Sequence, residues 1–206
     1  MYQSYKPYLQ NEFGRTCVYC RQPDSNVPYA NFGVDHYRPK GLPAFAGLEC
    51  DYTNLYYCCG NCNSRKNDDW PDDEVKGPYV VNPCDYEMAA HLRFDAKSGQ
   101  VTSRTEHGLH TWDLLQLNDK NLIEYRLNTL ATLDALRASV VREQEMVEVL
   151  RKQLDDYAIT KDVFDVEVDV IEGRITRFNA AIQSHNGEKP LPPLPRQRNG
   201  LTLLKI

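Results

Sequence analysis

The sequence predicts an α+β protein whose small mixed front half is fixed by a metal and whose back half is helical. Three observations carry this. Two C-x2-C pairs, Cys17/Cys20 and Cys59/Cys62, bracket a stretch rich in turn formers and aromatics. Short β-type runs such as "NLYYC" lie inside that stretch. From Asn118 the chain then runs forty residues to Tyr157 with neither Gly nor Pro, carrying Leu and Val near helical spacing.

A chain of 206 residues with net charge -5 buries a proper core and shows no basic excess in bulk. The charge is uneven. Between Phe13 and Lys66 six basic residues (Arg15, Arg21, Arg38, Lys40, Arg65, Lys66) face four acidic ones (Asp24, Asp35, Glu49, Asp51), and "NDDWPDDE" then adds five acids. Whole-chain charge therefore does not exclude a local basic cleft. No apolar run reaches the roughly 18 residues of a membrane span, and "MYQSYKPYLQ" lacks the apolar core of a signal peptide. The expectation is a cytoplasmic protein with no membrane partner.

Seven cysteines in such a compartment favour metal over disulfides. Four thiolates in two C-x2-C pairs make a closed tetrahedral Zn2+ site, with Cys17, Cys20, Cys59 and Cys62 as ligands. Cys58 is the weaker candidate beside Cys59, because a strand over "NLYYC" sends the two to opposite faces. Gly60 suits the tight knuckle turn. Cys50, Cys58 and Cys84 stay unassigned, cysteines of this kind being more often core residues. A thiol redox site at Cys58 and Cys59 fits poorly, since adjacent cysteines bridge only with strain.

The thirty-eight residues between the pairs must start and finish at the clip. They contain "GVDHYRPKG", and Asn63 follows the last cysteine directly, in the first turn of an expected helix "NCNSRKND". An Asp-His dipeptide at a strand end offers one oxygen ligand for a hard divalent ion beside an imidazole that need not touch metal. If the insert folds back as a hairpin, Asp35 and Asn63 share one site with His36 alongside. A zinc-clipped interaction module without catalysis is the competing reading, and it has no need of that trio.

"CVYC", "VDHYRP", "YTNL" and "CGNCNSRK", in that order, resemble the HNH endonucleases of ββα-metal fold in their zinc-clipped form. The resemblance implies Asp35 and Asn63 as ligands of a catalytic Mg2+ or Mn2+, His36 as general base and Asn54 as the brace of the loop. The motif's final histidine is here Asn63. Arg38, Lys40, Arg65 and Lys66 flank the motif as candidate phosphate contacts. The longer pattern, with "VNPCDYEMAAHLRF" and "LLQLNDKNLIEYR", is similar to the HNH subunits paired with ATPases in bacterial anti-phage defence, of Septu and retron-associated type. That implies a nucleic-acid substrate and an ATPase partner; the sequence leaves DNA and RNA both open, with DNA favoured. A stand-alone restriction-type HNH nuclease is the alternative.

Downstream, "LRFDAKSGQVTS" reads as a hairpin turning at Ser98-Gly99. A long helix opens at a cap on Asn118 or Asp119 with a stripe of Leu122, Leu127, Leu130, Leu133, Leu136, Val140, Val147, Leu150 and Leu154. A second helix covers Thr160 to Ser184, where Val163, Val166, Val170, Ile171, Ile175, Phe178 and Ile182 outweigh the strand-like "FDVEVDV". The two form an antiparallel hairpin. The resulting division is a nuclease domain over 1–111, a helical region over 112–186 that either docks a partner or packs on its own domain or a homodimer, and a Pro-rich tail over 187–206. His91, His107, His110 and His185 have no partner pattern, His91 being raised slightly by the resemblance.

Overall fold

The computed structural model describes residues 1–24, 31–84 and 88–186, without the side chains of 184–186. The predicted tail over 187–206 and the side chain of His185 lie outside the described residues. Two compact units result, one spanning Met1–Ile123 and the other beginning at Glu124.

A ββα unit forms the heart of the first. Strands β1 (Phe32–His36) and β2 (Leu55–Cys59) pair antiparallel, with Phe32 opposite Cys59 and His36 opposite Leu55. All five residues of β2 are buried, so its run of apolar and aromatic side chains is that of a strand covered on both faces. Helix α2 (Gly60–Lys66) follows without a loop, the sulfur of Cys59 accepting from the Cys62 amide as its N-cap. Gly60 is required here, because a Cβ would lie 2.9 Å from the Asn31 carbonyl oxygen. Helix α1 (Lys6–Glu12) contributes Leu9, fully buried, to the same core.

Met88–His91 forms a short α3, followed by β3 (Leu92–Asp95) and β4 (Gln100–Ser103), the hairpin expected from "LRFDAKSGQVTS". Gly99 takes a positive φ of 69° in its turn, which an L side chain would resist. Helix α4 (Glu106–Leu114) is capped by Thr105, whose hydroxyl accepts from the Gly108 amide. The unit runs past residue 111 because Leu115, Leu117 and Leu122, all buried, belong to its core.

The long helices are α5 (Lys120–Asp155) and α6 (Lys161–Asn186). Asp119 is the cap, its carboxylate accepting from the Asn121 amide. The strand-like "FDVEVDV" is helical. Arg174 and Glu143 make a two-pronged ion pair at 2.9 Å, and they stand about equally far from the turn joining the helices, so the hairpin is antiparallel. In α5 the inward stripe is the expected one apart from Leu127, which is 37% exposed. In α6 the first half of the stripe is turned by one to two residues from the expected phase. Val163, Val166 and Val170 are exposed, and Phe164 and Val168 take the inner positions ahead of Ile171, which is 2% exposed. Among the unassigned cysteines, Cys58 is buried as expected, whereas Cys50 and Cys84 are exposed, both lying outside the strands and helices.

Candidate active site and metal clip

The four cysteines of the two pairs converge. Their sulfurs all lie within 4.8 Å of one another, and those of Cys20 and Cys59 are 3.8 Å apart. A tetrahedral zinc with bonds of about 2.3 Å sets its sulfurs about 3.8 Å apart, so the residues fit the metal. The first pair reaches the second because the Val18 amide donates to the Tyr57 carbonyl, laying the Cys17–Cys20 knuckle along β2. Cys59 is drawn toward the thiolate: hydrogen bonds from neighbouring thiols, Cys17 first, pull its pKa well below the ordinary value. Burial pushes the Cys58 thiol the other way. Cys58 lies outside the cluster, 4.0 Å from Cys17 and on the opposite face of β2 from Cys59.

Helix α2 lies against one face of β1. Gly33 and Asp35 share that face, alternate residues of a strand pointing the same way. Asn63 sits at Gly33, its amide nitrogen 3.7 Å from where a Cβ would be, and its carboxamide makes no hydrogen bond among the described residues. One turn later Lys66 reaches Asp35, Nζ to Oδ1 3.3 Å, and donates to the His36 carbonyl at 2.8 Å. The other carboxylate oxygen of Asp35 accepts from the Tyr19 hydroxyl at 2.6 Å. Each oxygen therefore keeps a lone pair. An unpartnered carboxamide and a carboxylate with spare lone pairs, on one strand face, are the donor set a hard divalent ion takes.

His36 ends β1 and faces the other way. Its Nε2 lies 3.0 Å from the Glu49 carbonyl oxygen. A carbonyl only accepts, so Nε2 carries the proton and Nδ1 is the basic nitrogen. Burial, outweighing that hydrogen bond, holds the imidazole below its usual pKa and keeps it neutral at pH 7. The Tyr2 ring meets the imidazole edge-on at 4.5 Å, and the Tyr2 hydroxyl accepts from Lys40 at 2.8 Å.

Asn54 braces the loop after His36. Its Oδ1 accepts from the Arg38 amide at 2.8 Å and its Nδ2 donates to the Arg38 carbonyl at 3.0 Å. Asn54→Ala leaves both backbone groups unpaired, and urea unfolding is expected to show a loss of about 2 kcal/mol.

The basic residues divide. Arg38 and Lys40 are exposed beside His36, with the Arg38 guanidinium 5.8 Å from the ring centres of Phe45 and Trp70. Arg65 is engaged by the Leu115 carbonyl and Asp119. Lys66 corrects the expectation of a surface phosphate contact. It is 1% exposed, because the helical phase that aims Asn63 at β1 aims Lys66 there too. Tyr19 meets Asp35 while Tyr2 and Glu49 meet His36 on the other face of β1, and none carries a local sequence signal, since each contacts a residue far along the chain. The remaining described histidines have partners: His91 at Thr105, His107 at the Tyr79 amide, and His110 at Asp69.

Residues 17–69 match the HNH endonuclease family model. The match begins at the first clip cysteine and encloses Asp35, His36, Asn54 and Asn63. This stretch is an HNH endonuclease domain with a four-cysteine cluster able to hold zinc. No curated protein and no solved structure matches the chain. None of the helices among the described residues is long and apolar enough to cross a membrane.

Proposed function

We propose that this chain is a metal-dependent endonuclease that hydrolyses phosphodiester bonds of nucleic acid, DNA in preference to RNA. The observation that carries the reading is the orientation of His36: a backbone carbonyl holds Nε2–H and leaves Nδ1 as a base with a neutral resting state. At Nδ1 the imidazole takes a proton from the attacking water as the new P–O bond forms and the bond to O3′ breaks. Asp35 and Asn63 would hold Mg2+ or Mn2+, while the zinc clip fixes Asn63 through its covalent neighbour Cys62. Such an ion, when bound, supplies charge relief to the phosphate oxygens and the departing O3′. Arg38 and Lys40, both exposed, would contact the flanking phosphates, and Asn54 keeps the Arg38 backbone in register.

The finer reading is the nuclease subunit of an ATPase-coupled anti-phage complex. Its support is the sequence resemblance outside the clip and the exposed apolar side chains of the helical hairpin, Val141, Met146 and Val149 on α5 with Val163, Val166 and Val170 on α6. The test incubates plasmid DNA and a structured RNA with the zinc-loaded chain in Mg2+ or Mn2+, alone and with the co-expressed ATPase. Metal-dependent cutting is expected. Equal recovery of intact nucleic acid with and without the divalent ion, ATPase included, would sink the reading.

A further inference from the structure

The Asp35 carboxylate already has a cation. Lys66 reaches it from α2, is 1% exposed, and is tied by its second hydrogen bond to the His36 carbonyl. Asp35 is itself 3% exposed, and its other oxygen is taken by the neutral Tyr19 hydroxyl. The charges in contact with Asp35 therefore cancel: Asp35 at minus one, Lys66 at plus one, with the Tyr19 hydroxyl neutral. The affinity of an oxygen site for a divalent ion follows the charge of its ligands. A site of this kind lacks the negative charge that a phosphodiester brings.

We propose that Lys66 is a resident counter-charge that keeps the affinity of Asp35 for divalent metal low in the free protein. The proposal rests on the reading of Asp35 as a metal ligand. It gives Lys66 a role distinct from the surface phosphate contact its position in the sequence suggests. The ammonium sets the electrostatics of the carboxylate and touches no substrate.

The experiment measures Mn2+ binding to the full zinc-loaded chain by the loss of the free-ion signal in electron paramagnetic resonance, with no nucleic acid present. Lys66→Gln keeps a donor for Asp35 and for the His36 carbonyl while removing the charge, and it is expected to tighten Mn2+ binding at least about tenfold. Lys66→Arg, which keeps the charge, is expected to bind as weakly as the natural chain. Tyr19→Phe frees a lone pair on Asp35 without changing charge, and it is expected to shift affinity by less than about twofold. Adding Asp35→Asn to Lys66→Gln is expected to abolish the gain. Unchanged or weaker binding by Lys66→Gln, with Asp35→Asn still lowering affinity, overturns the counter-charge and spares the ligand reading. A gain from Tyr19→Phe equal to that from Lys66→Gln also overturns it, since occupancy rather than charge would then be the cause. Binding indifferent to Asp35→Asn overturns both. If Lys66→Gln fails to fold, as a loss of its thermal transition would show, Lys66→Met provides the neutral arm, read against the same outcomes.

Discussion

Cys62→Ser is expected to abolish zinc binding at the four-cysteine cluster and with it the folded state of the first unit. Elemental analysis is expected to fall from about one zinc per chain to well below that. The near-ultraviolet circular dichroism of the tyrosine-rich core is expected to collapse. The size of the effect follows from what the clip holds together. Cys17 and Cys20 sit on one turn and Cys59 and Cys62 at the junction of β2 with α2, so the metal closes a long loop that a two-stranded sheet holds weakly by itself. Structural zinc contributes about 10–16 kcal/mol in small finger domains, against a net stability of about 5–15 kcal/mol for a typical domain. Without it, the buried thiols of Cys17, Cys20 and Cys59 lose the ion that holds them together. Cys58→Ser is the control. Its side chain lies outside the ligand set, so zinc stays, and placing a hydroxyl in that apolar position costs about 1–3 kcal/mol. Loss of zinc from Cys58→Ser with retention in Cys62→Ser would exchange the roles of the two residues.

That pair shows which parts of the molecule were legible in the sequence. The clip was, because ligand chemistry requires paired cysteines at short spacing and a strand over "NLYYC" leaves only one of Cys58 and Cys59 facing it. Helix α2 was legible for the same reason, since it starts at a ligand. Lys66 was not. A lysine three residues after Asn63 reads as a solvated charge until the strand it faces is known, and that strand lies about thirty residues earlier in the chain. The same blindness applies to Tyr19 and Tyr2, whose hydroxyl and ring meet the Asp-His pair only after folding.

The helical hairpin fails in a different way. "VFDVEVDVI" offers two apolar sets, Val163, Val166 and Val170 or Phe164, Val168 and Ile171, each at helical spacing. Sequence periodicity cannot choose between them, and packing against α5 selects the second set. The rejected set is left exposed on α6. Residues that read as core in the sequence and face outward in the folded unit are those a docking partner would cover, which ties the misread phase to the proposed function.

His36→Ala is expected to lower metal-dependent cleavage by about 10²–10⁴-fold, the range that a positioned general base contributes. The same variant is expected to keep its zinc and its thermal transition, because no clip ligand touches the imidazole. The lost side chain leaves a gap beside the Tyr2 ring and frees the Glu49 carbonyl, for a stability cost of about 1–3 kcal/mol. Glu49→Ala separates the orienting bond from the side chain that shares its residue. The acceptor is the backbone oxygen, so the bond survives and cleavage is expected to change by less than about threefold. Added imidazole is expected to restore part of the activity of His36→Ala, since the lost group is a base and not a structural prop. Cleavage by His36→Ala at the rate of the natural chain would remove the imidazole from the chemistry. Asp35 and Asn63 would then have to be read as the support of a clip and not as an active site.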